Sequence, residues 1–210
     1  TYPMYLILLR GNHESRAMAT TYGFSKECEM KYDIDIFEAC STVFEYLPIA
    51  HIIRNKVFVV HGGLSVDPLL NIESLQQINR IAQPLDDDPL NTLLWCDPVN
   101  DNGADDIERE GQLLFGPNHT EQFLKENNLE IIIRSHQLVH DGYKIQHNGK
   151  CVTVFSAPNY VGKVGNDGAI VLVSFNDQGN LLPLNFKVLK AMPIPFDFQP
   201  MIYADMSLMK

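Results

Sequence analysis

The sequence predicts a mixed α/β (α+β) domain, on two observations. Short apolar runs rich in β-branched residues recur along the chain, each bounded by turn signals. One longer stretch carries apolar residues at three- and four-residue spacings, the pattern of a helix face. The runs are residues 5–9 (YLILL), 56–60 (KVFVV), 130–133 (EIII), 152–155 (VTVF) and 170–173 (IVLV). Nearly continuous apolar runs describe strands covered on both faces, as in layered or sandwich architectures.

The helical stretch spans residues 25–47, with Ser25 as its cap and Ile34, Phe37, Cys40, Phe44 and Leu47 along one face, ending before Pro48. Shorter helices are expected over residues 72–81 and 120–127. The Asn148-Gly149 pair predicts a hairpin turn within residues 142–156. Residues 83–89 (QPLDDDP) and 97–103 (DPVNDNG) read as exposed loops. With no repeat and no linker in its 210 residues, the chain reads as one domain.

Composition narrows the function. With 16 Lys and Arg against 26 Asp and Glu, the formal charge is −10. A nucleic-acid backbone is therefore excluded as a partner, since binding it needs a basic surface. No apolar run has the length of a membrane span, so no membrane is expected either. Cys28, Cys40, Cys96 and Cys151 form no C-x-x-C pair, which disfavours a zinc ribbon, and scattered thiols fit the cytoplasm or nucleus.

The chemistry sits where the apolar runs end. They lead into Arg10-Gly11-Asn12-His13-Glu14, His61-Gly62-Gly63, Arg134-Ser135-His136 and Ser156-Ala157-Pro158-Asn159-Tyr160. Ligands gather at converging strand ends, and imidazole and amide oxygen suit a first-row divalent metal. The adjacent glycines are read as letting backbone approach a ligand. A single such histidine is more often a surface or hydrogen-bonded residue; three, each closing a separate run, make a metal site an even alternative.

The blocks RGNHE (10–14), HGGL (61–64), LLWCDP (93–98), FGP (115–117), IIRSHQ (132–137) and VFSAPNY (154–160) follow one another in order. In them the chain resembles the phosphoprotein phosphatase family, within the metallophosphoesterase superfamily. The stretch 115–136 and the ending 193–204 (PIPFDFQPMIYA) are most similar to the type-5 enzymes.

The resemblance implies a central β-sandwich flanked by helices. It also implies hydrolysis of phosphoserine and phosphothreonine in proteins by water activated between two metal ions (Mn, Fe or Zn). By motif, Asn12, His61 and His136 match ligands of one metal, and His13 matches the general acid. Tyr160 and Arg109 match phosphate-binding residues, although Glu110 follows Arg109 where the family has glycine. Arg134, Trp95 and Asp97 are expected to support the site rather than react, and His51, His119, His140 and His147 to be structural or exposed.

The family's first-metal motif and its bridging aspartate lie upstream of RGNHE. Thr1, just before an apolar run, reads as a cut. Residues 1–210 are thus expected to be a partial catalytic domain, roughly its C-terminal two-thirds, lacking N-terminal strands and weakly active alone. Phosphoprotein substrates, with regulatory subunits or an upstream regulatory domain, are the implied partners. Hydrolysis of small phosphodiesters and a catalytically dead binding module are the competing readings.

Overall fold

The computed structural model describes residues 5–64, 71–86, 88–100 and 113–193. Five strands form the main sheet: β1 (Ala50–Ile53), β2 (Val57–Val60), β5 (Ile131–Arg134), β6 (Tyr143–Gln146) and β7 (Cys151–Val154). Their order is β1-β2-β5-β7-β6, with β2, β5 and β7 parallel and β1 and β6 antiparallel at the edges. Strands β8 (Gly168–Leu172) and β9 (Asn185–Leu189) pair as a separate antiparallel sheet. The short β3 (Asp97–Pro98) and β4 (Leu114–Phe115) pair in parallel.

Side-chain alternation explains the layers. Val57, Ile131, Ile133 and Val152 face the second sheet and pack with Val171, Val173, Phe175 and Phe186. Their neighbours Phe58, Val60, Ile132 and Cys151 face the other way, onto Leu90, Leu93, Phe123 and Leu124. Those four belong to helices α5 (Pro89–Trp95) and α6 (Pro117–Glu126). The expected sandwich with flanking helices is therefore present, and the apolar runs are continuous because both faces of the sheet are buried.

Three expectations need correction. The single helix over 25–47 is two, α2 (Phe24–Lys31) and α3 (Ile34–Tyr46). Asp33 splits them, because its carboxylate accepts from the Ile36 N–H at 3.1 Å and starts a new helix. Ser25 lies inside α2, whose cap is Gly23 at φ 88°.

Residues 5–9 form no strand. No strand among the described residues runs beside them to satisfy their backbone, and Tyr5, Leu6 and Leu8 are exposed. Asp97 and Pro98, expected in an exposed loop, are buried in β3.

The remaining elements are α1 (Arg16–Thr21), which reads as capped by Ser15, and α4 (Ile72–Gln77), shorter than expected. The hairpin turn forms as anticipated, with Asn148 at φ 54° and Gly149 at φ 85°. All four cysteines are free, and burial pushes the Cys151 thiol up to about 12, so it behaves as a core residue. Among the described residues no helix is long and apolar enough to cross a membrane.

Candidate active site

Parallel pairing brings two of the sequence's histidines together. Val57 pairs with Ile131 and Val59 with Ile133, so β2 and β5 end at the same edge of the sheet. The chain continues as His61 after β2 and as Ser135-His136 after β5. The Ser135 N–H donates to the His61 carbonyl at 3.0 Å. The two imidazole rings lie 5.4 Å apart, edge to face. His136 adopts φ 58°, a left-handed conformation uncommon outside glycine and concentrated at functional sites.

Asn12 arrives by another route. It sits in a 3-10 turn over Asn12–Glu14 rather than at a strand end. Arg10, fully buried, pins that turn: its Nε donates to the Glu14 carbonyl at 2.9 Å, and Nη1 donates to the carbonyls of Arg80 and Ala82. The Gly11 N–H donates to Glu14 Oε2 at 2.9 Å. The outcome is that Asn12 is buried and its Oδ1 lies 2.9 Å from His61 Nε2, while the adjacent His13 is exposed. His13 packs its ring on Tyr22, with centroids 4.8 Å apart.

Two neighbours fix the histidines. Asp97 Oδ1 lies 2.9 Å from His136 Nδ1, which directs the other ring nitrogen, Nε2, away from the carboxylate. The same oxygen accepts from Arg134 Nη2 at 2.5 Å, and Arg134 Nε donates to the Gly62 carbonyl at 2.5 Å. Arg134 is thus buried scaffolding, as expected. The edge of Trp95 meets the His136 ring at 5.4 Å.

The glycines beside the site also let the chain pack closely against protein. A Cβ on Gly62 would meet the Leu94 backbone at 2.5 Å, and one on Gly63 the Phe115 ring at 2.2 Å.

The electrostatics suit a metal. Burial holds the His61 pKa down at about 3, reinforced by the positive field of His136, Arg134 and His13 and opposed by Asp97. A neutral imidazole keeps its lone pair for coordination. The donor set of Asn12, His61 and His136 fits a first-row divalent ion, and a carboxylate gripping the far nitrogen of a histidine is the usual support of such a ligand. Among the described residues no group of three or more His, Cys, Asp and Glu is placed to hold a metal, so the set depends on the Asn12 amide.

Beside His136 opens a cleft of about 1110 Å³ between α1 and α5, lined by Arg16, Met18, Thr21, Asn91 and Trp95 among others. Tyr160 follows β7, whose end shares the edge of β5. Its ring packs edge to face on Phe155 at 5.2 Å. Arg109 lies outside the described residues.

The model of calcineurin-like phosphoesterases matches residues 2–140. The chain belongs to the calcineurin-like phosphoesterase family. The matched segment holds Asn12, His13, His61, Asp97 and His136 but ends before Tyr160. Human serine/threonine-protein phosphatase 5 is 43% identical over 204 residues, covering 97% of this chain and 40% of the relative. Serine/threonine-protein phosphatase T of Aspergillus oryzae is 40% identical over 209 residues, covering 99% of this chain and 42% of the relative.

A solved Saccharomyces cerevisiae protein serine/threonine phosphatase, described as similar to human phosphatase PP5, superposes with a TM-score of 0.82. It is 38% identical, over 93% of this chain and 63% of its own. The type-5 resemblance read from the motifs is matched by these relatives. The chain spans about 40% of the length of human phosphatase 5.

Proposed function

We propose that the chain is the part of a protein serine/threonine phosphatase catalytic domain that binds one metal and protonates the leaving group. The observation that carries the reading is the convergence of Asn12, His61 and His136 at one sheet edge, with His13 turned outward beside them. In it, Asn12, His61 and His136 hold one of two metal ions (Mn, Fe or Zn). Bound there, a divalent ion supplies Lewis-acid polarisation of a phosphoryl oxygen and acidifies water. His13 delivers a proton to the departing serine or threonine oxygen, which neighbouring placement on the turn allows. Tyr160 and Arg109 orient the phosphoryl group, Arg109 by paired guanidinium hydrogen bonds.

The donor set named here is neutral, with no carboxylate to offset a metal's charge. Weak metal binding and slow turnover are therefore expected of the 210-residue chain alone. Titration with Mn²⁺, followed by turnover of a phosphoserine peptide and of a dinucleotide polyphosphate, tests the reading. Residual turnover that favours the peptide and is lost in Asn12→Ala and His13→Gln supports it. A preference for the dinucleotide favours the small-diester alternative, and neither binding nor turnover favours a binding module. Rapid Mn²⁺-dependent hydrolysis abolished by Asn12→Ala would overturn the expectation of weak activity.

A further inference from the structure

The chain leaves β7 at Val154 and enters β8 at Gly168, and the intervening loop is clamped at its base. The Phe155 N–H donates to the Gly142 carbonyl at 2.8 Å, and the Ala169 N–H to the Phe155 carbonyl at 2.9 Å. Beyond the clamp the loop runs over the surface, with Ser156, Ala157 and residues 160–165 exposed. Such a loop has few apolar contacts to hold its shape. Yet Tyr160 sits on it, and a residue that orients a phosphoryl group must be held to within a fraction of an ångström.

One side chain in the loop behaves differently. Asn166 is 2% exposed. Its Oδ1 accepts from the Tyr160 N–H at 2.8 Å, and its Nδ2 donates to the carbonyls of Ala157 at 3.0 Å and Asp167 at 2.8 Å. Its own carbonyl accepts from the Asn159 N–H at 2.7 Å. Asn159 returns a bond across the loop, its Oδ1 accepting from the Gly165 N–H at 3.0 Å. Asn166 therefore ties the far arm of the loop to the backbone at 157, 159 and 160, on the arm that leads into the turn carrying the tyrosine. Only a side-chain amide of this length donates two hydrogen bonds and accepts one from that place; aspartate lacks the donors and leucine lacks all three.

The geometry points to Asn166 as a positioning residue that sets the place of Tyr160. The role rests on the reading that Tyr160 meets the phosphoryl group, while the positioning itself stands on the hydrogen bonds alone. Backbone held by buried amide bonds fixes where the phenol starts, and the edge-to-face contact with Phe155 fixes where it points.

The test uses the 210-residue chain with Asn166→Asp, close in shape, and Asn166→Ala, which separates lost donors from added charge. Tyr160 ring resonances and the exchange of its amide hydrogen are followed by NMR. The expected result is collapse of the Phe155-dependent ring shift and amide exchange faster by about tenfold or more, with β5 and β7 still protected. Unchanged Tyr160 signals in both variants would overturn the proposal.

A second arm measures phosphoserine-peptide turnover with Mn²⁺ in a cycle with Tyr160→Ala. Asn166→Asp should lower turnover when Tyr160 is present and have no further effect when it is absent. An equal loss in both backgrounds also overturns the proposal. If Tyr160→Ala leaves turnover unchanged, the reading of Tyr160 fails, and the NMR arm still decides the positioning.

Discussion

Asp97 Oδ1 lies 2.9 Å from Nδ1 of His136, and this contact ties a proposed metal ligand to the buried framework. The same oxygen neutralises Arg134, whose side chain has no exposure, at 2.5 Å. Removing the carboxylate therefore has two separable effects.

Asp97→Ala should destabilise the chain by about 3 kcal/mol, because a buried arginine loses its counter-charge. Mn²⁺ affinity should fall by about 10- to 100-fold, as expected when a ligand's outer partner is lost. Urea unfolding and calorimetric titration measure the two. Retained affinity in a folded Asp97→Ala chain would show that His136 needs no such support.

Gly63→Ala should be more damaging than Gly149→Ala. The first puts a methyl group 2.2 Å from the Phe115 ring and 2.6 Å from the Cys96 carbonyl, both within the core. Overpacking of that kind costs about 1–3 kcal/mol or more. At Gly149 the methyl group meets nothing, leaving only the left-handed φ of 85°, a cost of about 1–2 kcal/mol. Thermal melts of the two variants would rank them.

Acid should weaken the fold through His147. Its Nε2 lies 2.8 Å from the Val99 carbonyl and must carry the hydrogen, while Nδ1, 2.7 Å from Thr120 Oγ1, accepts. Burial lowers its pKa below the ordinary histidine value, partly offset by the Val99 bond. The unfolded chain then takes up a proton that the folded chain refuses. Stability from this group is complete above about pH 6.5 and is lost as pH falls below it. Melting temperature against pH should show that slope, and His147→Gln should flatten it.

Val161→Asn should stabilise the chain by about 1 kcal/mol. Val161 is held at φ 50°, where a β-branched side chain is strained and asparagine is tolerated. It is 66% exposed, so little apolar burial is lost. A melt unchanged or lowered by the substitution would count against the strain.

The sandwich and the convergence of His61 with His136 were legible because both depend on β2 and β5, whose apolar runs carry strong local signals. Asn12 was legible only by motif, since it comes from a 3-10 turn and residues 5–9 gain no strand partner among the described residues. The break between α2 and α3 was hidden because the apolar spacing continues across it; Asp33 decides the matter by one hydrogen bond. Asp97 in β3 was misread as loop because its neighbours have turn chemistry, while its burial comes from Arg134, distant in sequence. Asn166 carries no periodic or motif signal, and its role exists only once the loop is closed.

The alternating faces of β2 have a consequence for error. If β2 slipped by one residue against β5, Val57 and Phe58 would exchange sides, sending the larger ring toward the second sheet and leaving a hollow beneath α6. The same slip would carry His61 about 3.3 Å along the strand, away from Asn12 and His136. A mispaired sheet therefore loses its core and its proposed ligand set in one step. Any molecule that brings Asn12, His61 and His136 together has already passed the test of a correctly packed interior.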